Sequence, residues 1–211
     1  MESASTPLRP DDGRLQRGRR SRERIREAAR SLFRERGFDR ATLREIARRA
    51  GMGASSIYRH VQTKHELLVL ELAELQEEAW TRFRLGDDRD AATRDRIRRF
   101  FEIQHGLLAS DADLTVIALR ATTYPDAPVA RRALALQDRT IGLLAEIFQT
   151  GRRRDLSREV DVLAAARALV YIATGARIAW ANGLASEQTC QRGIDSAVDL
   201  LFRGISRHAD A

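Results

Sequence analysis

Ser55, Ser56, Tyr58, Arg59 and His60 crowd two hydroxyls, a phenol, a guanidinium and an imidazole into one short segment. These groups suit the reading of nucleic acid. Hydroxyls and imidazole exchange hydrogen bonds with base edges, and an arginine forks onto guanine. A Tyr58 hydroxyl can donate to phosphate, with packing of its half-apolar ring as the alternative use. Ala54, Ser55 and Ser56 are small enough to let a backbone approach bases closely. Apolar Ile57 and Val61 would turn such a segment back onto a core. Thr42 and Arg44, further upstream, are candidates for phosphate, because a helix N-terminus offers free N–H groups and a positive dipole end.

Other chemistries lack their residues. The chain has no HExxH, no Gly-rich phosphate loop and no Ser-His-Asp constellation in a supporting context. His60, His65, His105 and His208 have no metal-site spacing. Cys190 is the single cysteine, so an internal disulfide is excluded and a reducing cytoplasm is expected. No catalytic residue, metal or cofactor is therefore expected. No export signal is read at the N-terminus. The most apolar stretch, 160–184, contains Arg167 and Arg177 and reads as a buried helix rather than a membrane span.

The net charge of +7 is unevenly placed. Residues 1–64 carry seventeen Lys/Arg against eight Asp/Glu, and residues 65–211 carry twenty against twenty-two. The whole positive excess lies in the N-terminal third, which points to a polyanionic partner for that third or, alternatively, to a solvated basic tail.

The elements that must position these residues read as helices throughout, so the fold class is all-α. Residues 1–20, with Pro7, Pro10, Gly13, Gly18 and five arginines, read as a disordered arm that either enters a minor groove or acts as a nonspecific tail. A first helix follows from Ser21 to about Arg36, with Ile25, Ala28, Ala29, Leu32 and Phe33 on one stripe and Gly37 as its C-cap. A second opens at Thr42, which forms a capping-box pair with Glu45, and ends at Gly51. A third runs from Ala54 to about His60. A fourth opens at Thr63, again with a Glu three residues on. Two short helices around a Gly-containing turn are a helix-turn-helix, whose second helix enters the major groove. The boundaries are thus an arm at 1–20, a DNA-binding head at 21–68 and a helical body at 69–211.

Ile25, Ala28-Ala29, Leu32-Phe33, Gly37-Phe38, Thr42, Ile46-Ala47, Ala50-Gly51, Ser56-Ile57-Tyr58, His60, Lys64 and Leu67-Leu68 together resemble the tetracycline-repressor (TetR) family of regulators. The resemblance covers three helices and two turns. It implies a regulator, usually a repressor, released from a palindromic operator by a small molecule. It also implies that Lys64 contacts a DNA phosphate. Lys64 is the only lysine in the chain, and an ammonium is a more compact charge than a guanidinium. Three positions depart from the family pattern: Gly53 stands where a capping hydroxyl is common, Val61 where Phe is usual, and His65 where an acid is common.

One short helix reads few base pairs, so a homodimer on double-stranded DNA is expected. The last helix offers the stripe Ile194, Ala197, Val198 and Leu201, and its predecessor is apolar nearly all round. The family implies that these two helices form the dimer interface. For an effector pocket, the candidates are aromatic and polar residues set in apolar helices: Phe101, His105, Arg120, Tyr124, Tyr171, Arg177 and Trp180. Each has a structural alternative in core packing or, for Arg177, a salt bridge with Asp195 or Asp199. If Arg120 and Arg177 both face the pocket, an anionic ligand is expected. A nonspecific architectural DNA-binding protein and an enzyme are the competing readings.

Overall fold

The computed structural model describes residues 10–123, 125–151 and 155–205. Nine helices and no strand occur among them: α1 (Pro10–Arg36), α2 (Leu43–Arg49), α3 (Ala54–Ile57), α4 (Lys64–Leu85), α5 (Thr93–Ala109), α6 (Ala112–Ala121), α7 (Ala127–Gly151), α8 (Val162–Ala181) and α9 (Glu187–Ile205). The chain divides into two compact units between Leu67 and Leu68.

In the first unit, Ile25, Ala28, Ala29, Leu32 and Phe33 of α1 are buried with Ile46 and Ala47 of α2 and Ile57 of α3. Helix ends fall where the cap residues require. Gly37 and Gly51 take φ of +79° and +66°, the left-handed conformation that favours glycine. Thr42 caps α2 in a full capping box with Glu45. Two boundaries differ from the sequence pattern: α3 ends at Ile57 and not near His60, and α1 begins at Pro10, not Ser21, so residues 10–20 are helical and not an irregular arm. Proline is tolerated in a first turn, Asp11 and Asp12 suit a helix N-terminus, and the arginines are good helix formers, which outweighs Gly13 and Gly18. Residues 1–9 lie outside the described ones, as do Tyr124 and the Arg152-Arg153-Arg154 segment.

In the second unit, α5 contributes Ile97, Phe100, Phe101 and Leu108, α7 contributes Leu144, Ile147 and Phe148, and α8 contributes Ala166, Leu169 and Ala173 to one core. Asp155, after α7, accepts from Thr93 N at 2.8 Å and Thr93 Oγ1 at 2.7 Å, holding the start of α5 from a distant part of the chain. The approach is so close that a Cβ on Gly151 would lie 1.9 Å from Thr93 Oγ1. Asp161 caps α8 by accepting from Leu163 N and Ala164 N. Helix α8 is long and apolar enough to cross a membrane, but it is not buried all round. One face lies in the core, and the other exposes Leu163, Tyr171 and Ile172.

Candidate nucleic-acid interface and body cavity

Helix α3 is a single turn, and residues 58–60 continue it only as a turn. Ile57 is fully buried and fixes its inner side, while Tyr58 is 52% exposed. Ala54, Ser55 and Arg59 are exposed, and Ser56 and His60 are half-buried. Arg59 Nη2 donates to Ser56 Oγ at 3.1 Å, one turn back, which aims the guanidinium along the exposed side. Gly53 precedes α3 with no side-chain cap and a φ of −65°, so the position does not need glycine. Burial and the positive charges of Arg22 and Arg59 lower the pKa of the His60 imidazole.

The brace beneath this turn is ionic. Arg36 Nη1 donates to Glu45 Oε1 at 2.8 Å, and Arg49 joins both Ser31 Oγ and Glu35 of α1. Hydrogen bonds from the Thr42 side chain and backbone, then the charges of Arg36 and Arg48, hold the Glu45 carboxyl below its ordinary pKa. Thr42 and Arg44 stay exposed at the start of α2.

Lys64 does not stand free for a phosphate. Its Nζ donates to Phe38 O at 2.8 Å, Asp39 O at 2.9 Å and Ala41 O at 3.5 Å. An ammonium has three N–H groups, so these carbonyls occupy the donor set. In this structure Lys64 clamps the turn leading into Thr42. Arginine, with a wide planar fork, fits three convergent carbonyls less well.

In the body, a cavity of about 110 Å³ opens among α4, α5, α6, α7 and α8. Of the sequence candidates, Phe101 and Arg177 line it. The others do not. Arg120 is exposed and donates through Nε to Ala181 O at 2.6 Å. Tyr171 is 56% exposed, on the outer face of α8. His105 and Trp180 are buried in contact with each other, their ring centroids 5.6 Å apart. Tyr124 lies outside the described residues. Arg177 also departs from expectation in its partner, since Nη2 donates to Gln104 and not to Asp195 or Asp199. Asp199 instead accepts from Arg98 Nη2 at 2.5 Å, and Asp195 from Gln191 Nε2 at 2.9 Å. Gln76, Gln104, Thr140 and Thr174, polar residues of the lining, are absent from the sequence candidates. Gln104 carried a visible signal: it is the one amide in the apolar stripe of α5.

The stripe expected at the dimer interface turns inward. Ile194 and Val198 are 1% and 0% exposed within the chain, and Ala197 and Leu201 pack against the same core. Helix α9 exposes Gly193, Ser196 and Leu200 instead. Hydropathy periodicity marks an apolar face but cannot say whether that face meets its own core or a partner.

Residues 25–70 match the family model of the bacterial regulatory proteins, tetR family. Among solved structures, the chain is similar to FadR of Thermus thermophilus, a TetR-family transcriptional repressor in complex with lauroyl-CoA. Identity is 26% over 90% of this chain and 98% of that one, with a TM-score of 0.69. It is also similar to TylP, a TetR regulator of Streptomyces fradiae, at 24% identity, 92% and 90% coverage and a TM-score of 0.62. SmeT, repressor of the Stenotrophomonas maltophilia multidrug efflux pump SmeDEF, matches at 20% identity, 89% and 91% coverage and a TM-score of 0.65. No curated protein matches the chain.

Proposed function

We propose that this chain, whose head at residues 25–70 is of the tetR type, is a dimeric transcriptional repressor. In this reading it leaves a palindromic operator when a small molecule fills the body cavity. The observation that carries the reading is α3: one turn, anchored by buried Ile57, with Ala54, Ser55, Tyr58 and Arg59 exposed on a basic head. Arg59 reads a guanine, Ser55, Ser56 and His60 contact base edges, and Tyr58, Thr42 and Arg44 contact phosphate. Lys64 is a positioning residue for the α2 N-terminus.

Two copies pair through the outer faces of α8 and α9. Tyr171 and Ile172 supply apolar area, and Gly193 and Ser196 allow close helix approach. Helix α4 begins at Lys64 in the head and supplies Leu72, Leu75 and Gln76 to the cavity wall. A ligand that prefers one position of α4 would thus shift the population that binds DNA. The lauroyl-CoA bound in the Thermus FadR structure supports a ligand-holding body without fixing this chain's ligand.

The test is binding of the full chain to DNA from upstream of its own gene and to a scrambled duplex across a salt series. A preference for the upstream DNA of about a thousandfold or more supports a regulator. Equal affinity at every salt concentration supports nonspecific architectural binding.

A further inference from the structure

The polar wall of the cavity can be oriented without ambiguity. A guanidinium only donates, so the side-chain oxygen of Gln104 must face Arg177 Nη2. The Gln104 amide nitrogen then donates to the Gln76 oxygen. Gln76 Nε2 is left at the end of the chain, buried and without a partner, and Arg177 Nε is buried and without a partner at the other end. Every group that this relay leaves over is a donor.

Its charge is equally one-sided. Arg177 is 9% exposed and no carboxylate among the described residues lies within ion-pair distance of it. Burial pushes its pKa down to about 10, so the guanidinium still carries its charge at neutral pH. His105, which feels that charge, is held toward its neutral form mainly by burial. A buried cation without a counter-ion is costly, and an anion that enters the cavity removes the cost. The rest of the lining is uncharged and largely apolar, with Leu72, Phe101, Leu108 and Val170, and adds Thr122, Gln137, Thr140 and Thr174.

We infer that the cavity takes a compact monocarboxylate, its charge paired with the buried Arg177 guanidinium and its apolar part lying against Phe101 and Leu108. The volume limits that part. A dry cavity of about 150 Å³ holds a benzene ring, and this one is smaller, at about 110 Å³, so the enclosed part of the ligand is no larger than a short chain or a single ring and an extended acyl chain is disfavoured. The effector role of such a ligand rests on the regulator reading, whereas its binding does not.

The test is calorimetric titration of the full chain, free of DNA, with benzoate, butyrate, benzamide, laurate and lauroyl-CoA. Benzoate or butyrate should bind about tenfold or more tightly than uncharged benzamide. Arg177→Met should erase that preference. Gln104→Glu, which is isosteric and gives Arg177 a counter-ion from within, should raise the Tm and weaken carboxylate binding by about tenfold or more. Its raised Tm also separates loss of binding from loss of fold. Benzamide binding as well as benzoate, lauroyl-CoA binding more tightly than either small acid, or no small carboxylate binding at millimolar concentration would each overturn the inference. Operator preference of the ligand-free chain, measured separately, tests the regulator reading alone. Carboxylate binding that leaves DNA affinity unchanged removes only the effector role.

Discussion

The Lys64 ammonium sits 4.4 Å from the centroid of the Phe38 ring and at the same time donates to the Phe38 carbonyl at 2.8 Å. One cation thus holds both the face and the backbone of a single residue. That residue lies in the turn that delivers Thr42 to the start of α2. The Phe38 ring packs in turn edge-on to Phe33 and His65.

A clamp and a phosphate contact leave different marks on binding. Lys64→Ala should weaken binding to all duplexes by about tenfold while leaving the slope of log affinity against log salt unchanged, since no condensed counterion is displaced by this amine. A slope shallower by about one unit would return Lys64 to the phosphate role.

Arg59 should act on sequence. Arg59→Ala is expected to lose about 1–3 kcal/mol of discrimination at one base pair of each half-site, with little change in nonspecific affinity. A uniform loss across all sequences, measured by competition with single-base operator variants, would assign Arg59 to phosphate instead.

Assembly separates the two faces of α9. Leu200→Arg, on the exposed face, should give a monomer in sedimentation and lower operator affinity about a hundredfold through lost bivalency. Ile194→Ala, in the core, should keep the dimer and cost about 2–4 kcal/mol of stability in denaturant titration. If Ile194→Ala dissociates the dimer at unchanged stability, the interface lies on the inward stripe after all.

The pH dependence of stability should carry the mark of His105. Burial, then the charge of Arg177, lowers its folded pKa below the unfolded value of about 6.5. Above that pH both states are neutral at this residue and its contribution is complete. As pH falls below it, the unfolded chain takes up the proton first and stability declines. His105→Gln should flatten this part of the curve in chemical denaturation at stepwise lower pH, and an unchanged slope would show that His105 does not titrate in that window.

Local rules made the head legible in sequence. Gly37, Gly51 and the Thr42–Glu45 pair each have a cap function that depends only on neighbours a few residues away. The stripe of α1 has one possible destination, because so small a unit has one core. The body resisted for the opposite reason. Gln104 is a polar residue in an apolar stripe, and its meaning depends on Arg177, on a helix far along the chain, and on Gln76, on another. Gly193 and Ser196 have little hydropathy of their own, so the exposed face of α9 gives no periodic signal, whereas the buried Ile194 and Val198 give a strong one. Lys64 was conspicuous by type, but its partners are backbone carbonyls, which every residue possesses and no side chain announces.

A chain with one lysine has one ε-amine. Acylating reagents therefore meet a single side-chain target, and they need a free lone pair that an ammonium bound to three carbonyls does not offer. The rate at which Lys64 is labelled becomes a clock for release of the turn before α2. Breathing of the head, a property otherwise spread over dozens of exchanging amides, would be recorded at one atom.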